Sequence, residues 1–132
     1  RGVRPRDSLY LRNLNPERWP AGDPEYYWSV GEYGDVDQTP TKDWLLAHEK
    51  DPAVAPFFGG LFGQRPGGEL YDVTRDPDQV RNLAADPAYA AQLRELRGQV
   101  TDWMASTGDP RAQGPTDFWD RAPYRSGKSR QQ

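Results

Sequence analysis

Cysteine is absent from the 132 residues, which excludes a disulfide framework, a thiolate metal site and a cysteine nucleophile. The single histidine, His48, cannot supply a multi-histidine zinc site. No apolar run approaches the roughly 18 residues that a membrane helix needs, so no membrane span is expected. Charge of one sign is also scarce. Against 20 Asp and Glu stand 17 Lys and Arg, a net charge of −3, and the basic residues are mixed with acids rather than clustered. A nucleic-acid partner would need a basic face, and none is expected here. The chain opens on Arg1 without an apolar signal segment, which reads as a processed product, an excised fragment or a chain whose beginning lies upstream.

What is present is modest in hydrophobicity and rich in backbone irregularity. Residues of the set AVILMFWYC make up 35% of the chain, beside 13 Gly and 13 Pro. Five Trp, seven Tyr and four Phe argue against wholesale disorder, because disordered chains are poor in aromatics. Length sets a prior of one domain or a piece of a larger one.

Residues 1–14 read as a strand, a turn at Pro5-Arg6-Asp7 and a second strand. Alternation places Leu9 and Leu11 on one face of the second strand, with Tyr10 and Arg12 on the other. Residues 15–40 hold several prolines and no helical period, and form a long excursion. Loops of that length inside compact domains are uncommon and often functional. Two readings stay open: the aromatics pack the loop on itself, or Trp19, Tyr26, Tyr27 and Trp28 line a ligand cleft, where aromatic faces suit sugar rings.

Thr39-Pro40 signals a helix start, with Asp43 in the first turn and Trp44, Leu45 and His48 at helical spacing. Val54, Phe57, Phe58, Leu61 and Phe62 form a second helical stripe, weakened by Pro56 and Gly59-Gly60. Glu69–Val73 is a third strand. Asp76-Pro77 is expected to cap a short helical turn through Val80, Asn82 and Leu83. Asp86-Pro87 opens the clearest element, in which Tyr89, Leu93, Leu96, Val100 and Trp103, with Met104 beside the last, make a stripe over about four turns. Gly108 and Pro110 close it. Leu93 and Leu96 are expected to meet Leu9, Leu11 and Leu70. The fold class is therefore α+β: a small antiparallel sheet of three to four strands, a long C-terminal helix packed across one face, and long loops.

Chemistry is sparse. No phosphate-binding glycine loop, metal-ligand string or nucleophile elbow is present. Asp51, Asp76 and Asp86 precede prolines at helix starts, where capping accounts for them. No catalytic residue and no metal ligand is assigned. His48 is either a capping or surface group or, on the second reading, a chemical residue; Tyr26, Tyr27 and His48 are the candidate substrate-rim residues. Trp19, Trp28, Trp44, Phe57 and Phe58 exceed what a small core needs, so the 15–62 segment is expected to form an apolar docking patch.

The stretch ELYDVTRDPDQVRNLAADPAYAAQLRELRGQVTDWMASTGDP, Glu69–Pro110, resembles the C-terminal signature of type I sulfatases: a Leu-Tyr-Asp strand, an Asp-Pro turn, an Asn-Leu-Ala segment and a long helix ending near Trp and Asp-Pro. GVRPRDSLYLRNLNP resembles the paired strands that open the same subdomain. The Asn-Leu-Ala-x-Asp-Pro run at Asn82–Pro87 and the Pro40-Thr41 helix start are similar to the heparan N-sulfatase (sulfamidase) branch in particular. The resemblance covers about residues 1–14 and 39–110.

It implies a hydrolase of sulfate esters or N-sulfates, with an α/β core in which formylglycine, matured from Cys or Ser, attacks sulfur beside calcium. No Ser here lies in the maturation context, and the family's calcium-binding and catalytic motifs have no counterpart, so formylglycine and calcium are expected in a catalytic core that this chain lacks. Residues 1–110 are then the sulfatase C-terminal subdomain, with 15–40 as a loop insertion and 111–132 as an irregular tail. Its expected partners are that catalytic core and a sulfated glycan or other sulfate ester, with homo-oligomerisation left open. Family habit favours a periplasmic, secreted or lysosomal setting. The alternative is a stand-alone carbohydrate- or protein-binding module.

Overall fold

The computed structural model describes residues 1–25 and 31–113. Two short strands, β1 (Gly2–Val3) and β2 (Ser8–Arg12), precede the long excursion. Two short helices follow, α1 (Pro40–Ala47) and α2 (Ala55–Phe62), and then β3 (Gly68–Asp72). A 3₁₀ turn at Pro87–Tyr89 leads into the long helix α3 (Ala90–Ser106), and α4 (Pro110–Gln113) closes the described chain. The strands form one antiparallel sheet in the order β1-β2-β3. The α+β architecture read from the sequence holds.

Register decides which face the helix covers. Tyr10 pairs with both Val3 and Leu70, and these three lie on the side where α3 supplies Leu96, Val100 and Met104. Tyr10 and Leu70 are wholly buried. Leu9 and Leu11 therefore point away from α3 and are only half-buried, opposite to the expected orientation. Leu93 packs at the margin of this core and Leu83 completes it. The stripe on α3 also ends differently. Met104 enters the core while Trp103 stays 53% exposed, because the helix axis turns the i+4 position rather than the i+3 position toward the sheet.

Local chemistry sets the ends of each element. Thr39 Oγ1 accepts the Lys42 N–H at 3.2 Å, with Pro40 beginning the helix. Asp86 Oδ1 accepts the Ala88 N–H at 3.0 Å. At the end of α3, Gly108 adopts φ +64°, which glycine reaches without a Cβ penalty. Its N–H bonds Ala105 O and the Asp109 N–H bonds Met104 O, the paired bonds of a Schellman stop.

A second cluster gathers Ala21, Tyr33 and Phe62, with Trp19, Val36, Leu45, Leu46 and Phe58 around them. Tyr33 meets Trp19, Phe58 and Phe62 at ring-centroid distances of 6.1, 6.0 and 4.8 Å. Trp19 and Tyr33 of the excursion are thus packed against each other and against Phe58 and Phe62 of α2. Lys42 is buried beneath the excursion, donating through Nζ to Tyr33 O at 3.0 Å and Val36 O at 2.9 Å. Those two bonds anchor the 33–36 segment to α1.

Candidate functional site

The residues that carry the signature on β3 hold backbone together. Asn82 Oδ1 accepts the Leu70 N–H at 2.9 Å and the Ala84 N–H at 3.0 Å, and Leu70 O accepts the Leu83 N–H at 2.7 Å. The Asn-Leu-Ala run therefore covers the outer edge of β3 instead of forming the helical turn expected from Asp76-Pro77. Asp76 does cap, through Oδ1 to the Val80 N–H and Oδ2 to the Arg81 N–H, but it closes a turn with Gln79 at φ +56°. Asp72 accepts the N–H groups of Thr74 and Arg75 and the Thr74 hydroxyl, and this last bond leads in holding its carboxyl below the ordinary aspartate range.

On the sheet face away from α3, Glu69 and Tyr71 are both buried. The Tyr71 hydroxyl donates to Glu69 Oε2 at 2.5 Å, and Asn13 Nδ2 donates to Oε1 at 2.6 Å and to Pro66 O at 2.7 Å. Burial, then the hydrogen bond to Glu69, pushes the Tyr71 hydroxyl up to about 12. This cluster ties β3 to the segment after β2.

At the far end of α3, Asp109 is buried and holds the Arg1 guanidinium through Nε and Nη2, and also accepts the Arg111 N–H at 2.9 Å. The bond from Arg1 is the main reason its carboxyl titrates below the ordinary range.

Of the candidate rim residues, Tyr26 and Tyr27 lie outside the described residues, as does Trp28. His48 caps the C-terminal end of α1 on the surface. Its ring stacks on Trp44 at 4.5 Å and 20°, and its Nδ1 lies 2.7 Å from Trp44 O, so Nδ1 is the donor there. Trp44 is half exposed, and Phe57 and Leu61, one turn apart on α2, are also exposed. The apolar segment is thus divided: Phe58 and Trp19 serve the second cluster, while Trp44 and Phe57 remain outside it.

Among the described residues no three His, Cys, Asp or Glu side chains gather to hold a metal ion. Asp72, Asp76 and Asp109 are each committed to backbone N–H groups or a guanidinium. No described helix is long and apolar enough to cross a membrane.

A thin antiparallel layer under one long helix is an α+β build in which several polar side chains hold backbone. Comparison with known proteins gives its family. The chain is 31% identical over 110 residues to an ulvan-active sulfatase of Formosa agariphila, covering 83% of this chain and 17% of that protein. It is 50% identical over 42 residues to the N-sulphoglucosamine sulphohydrolase of Homo sapiens, which is 32% of this chain and 8% of that one. It is 42% identical over 43 residues to a Delta 4,5-hexuronate-2-O-sulfatase of Bacteroides thetaiotaomicron, covering 33% of this chain and 9% of that protein. No family model matches the chain. The chain is a stretch of sulfatase-family sequence of the C-terminal subdomain type, with the sulfamidase branch among its matches, and it spans less than a fifth of the length of these relatives.

Proposed function

We propose that this chain is the supporting C-terminal portion of an enzyme that hydrolyses sulfate esters or N-sulfates on a carbohydrate. The observation that carries this reading is the match to the ulvan-active sulfatase over 83% of the chain. All three relatives are sulfatases or sulphohydrolases, and their names refer to saccharide substrates. In this reading the reacting groups, including formylglycine and calcium, belong to an α/β core of the same protein. The exposed Trp44, Phe57 and Leu61 would face that core, and Tyr26, Tyr27 and His48 would stand near the entrance to its pocket. Residues 1–110 would act as the subdomain and 111–132 as its tail, outside the cytoplasm.

The test is sulfate release by the full-length protein that contains this chain, prepared with mature formylglycine and calcium. N-sulfated glucosaminides, O-sulfated uronate oligosaccharides and an aryl sulfate would be compared. Release from at least one saccharide is expected; no release from any of them overturns the reading.

The exposed stack of Trp44 on His48 favours a second reading, a carbohydrate-binding module without catalysis, since such a flat plate can contact a sugar ring. Saccharide binding lost in W44A, with no sulfate release by the full-length protein, would select it.

A further inference from the structure

A concavity of about 270 Å³ lies where residues 84–87 meet the first turns of α3. Leu93 and Ala90 line it, and Arg94 and Arg97 stand at its wall. The two arginines are i,i+3 neighbours on the helix surface, and both are exposed. Among the described residues neither guanidinium has a hydrogen-bond or ion-pair partner. Other arginines are engaged: Arg1 on Asp109, Arg65 on Gly60 O and Arg75 on Asp72. The one acid at the concavity, Asp86, turns Oδ1 to the Ala88 N–H.

The charges on α3 are also sorted by face. At about 100° per residue, Arg94, Arg97 and Thr101 share one flank, whereas Glu95 and Asp102 lie roughly a third of a turn from its centre. Arg12 extends the basic flank by donating to Thr101 Oγ1 at 3.2 Å. The surface around the Trp44–His48 stack is mixed in charge, with Asp43, Glu49 and Asp51 exposed and Lys50 lying 3.7 Å from Glu49. The α3 flank is therefore the surface on which two guanidinium groups, unpaired among the described residues, meet a concavity, as an anionic ligand requires.

We propose that this concavity is a binding subsite for one sulfate- or carboxylate-bearing sugar unit of a polyanionic glycan. The two guanidinium forks match the planar or tetrahedral oxyanion, and Leu93 and Ala90 offer an apolar floor to the ring. The volume suits a single sugar unit, with the adjoining unit running toward Arg12. The choice of glycan rests on the carbohydrate-sulfate reading above, but the subsite is read by binding and not by turnover.

Calorimetric titration of the 132-residue chain tests it, using a heparin-derived sulfated tetrasaccharide, its desulfated, carboxylate-retaining counterpart, neutral cellotetraose and inorganic sulfate. The sulfated tetrasaccharide is expected to bind, and the R94Q/R97Q double variant to weaken it roughly tenfold or more, as losing charge-assisted hydrogen bonds requires. R75Q, at an arginine away from the concavity, should stay within about twofold. Retained binding of the desulfated tetrasaccharide supports the subsite and makes the carboxylate the recognised group. Its loss supports the subsite with sulfate in that role. Unchanged affinity in the double variant at an unchanged thermal midpoint overturns the proposal. Equal binding of cellotetraose, no binding of either anionic tetrasaccharide, or binding of inorganic sulfate as tight as that of the saccharide does so as well. A full-length protein that fails to release sulfate removes the enzyme reading while leaving this binding result standing.

Discussion

Asn82 takes the place of a strand residue beside Leu70: its side-chain carbonyl accepts the Leu70 N–H at 2.9 Å, and Leu70 returns a carbonyl to the neighbouring Leu83 N–H at 2.7 Å. The sheet edge is closed by one side chain and one backbone bond. Removing the amide leaves the Leu70 N–H without its partner. N82A is expected to destabilise the chain by about 1–3 kcal/mol in chemical denaturation. An unchanged midpoint would mean that water satisfies that edge equally well.

Tyr10 predicts a change of the opposite sign. Its hydroxyl is buried with no hydrogen-bond partner among the described residues, while the ring fills the centre of the core. Y10F keeps the ring and deletes the unpaired hydroxyl, so it is expected to match or exceed the parent in thermal midpoint. A fall of several degrees would reveal a bonded hydroxyl.

The two edges of α3 separate core from surface. L96A removes a side chain that is 3% exposed and should cost about 2–5 kcal/mol. W103A, at a side chain 53% exposed, should stay within about 0.5 kcal/mol of the parent. Denaturant midpoints of the two variants check the contrast, and equal losses would place Trp103 in the core.

Much of this frame was readable in the residues. The Thr39-Pro40 and Asp86-Pro87 starts, the Gly108 stop and all three strands follow from local chemistry, because caps and turn residues act within a few positions of themselves. The face of β2 did not. Hydropathy favours Leu9 and Leu11 over Tyr10, but the choice is made by Leu70 and Val3 across the register, which is tertiary information. Met104 and Trp103 are likewise equally spaced choices along α3 until the sheet is in place. Lys42 beneath the excursion carried no signal, since a lysine after Thr-Pro reads as surface. Nor did the sequence mark the concavity at Arg94 and Arg97, which needs residues 84–87 folded against α3.

Tyr71 gives a dependence on alkaline pH. Its hydroxyl is raised from 10.0 to about 12, chiefly by burial and then by the bond to Glu69. The folded state therefore keeps a proton that the unfolded chain releases first. The contribution is intact below pH 10 and is lost as pH rises toward 12. Ultraviolet tyrosinate titration should show a late-ionising tyrosine in the parent that is missing in Y71F, and identical curves would remove Tyr71 from the alkaline limb.

The isolated 132 residues are expected to release no sulfate from an aryl sulfate, since the sequence offers no formylglycine precursor and hence no covalent route to sulfur. A discontinuous sulfate assay on chain freed of contaminating enzyme checks this. Turnover above the buffer blank would place a nucleophile within these residues.

The buried amine of Lys42 turns the attachment of the excursion into something a reagent can count. Lys50 lies open to solvent, whereas the Lys42 amine is enclosed by the carbonyls of Tyr33 and Val36. An acylating label should therefore mark Lys50 at once and reach Lys42 only when the 33–36 segment lifts from α1. The ratio of the two labels in a peptide digest becomes a clock for that opening. It registers the separation of this layer at the two bonds that hold it.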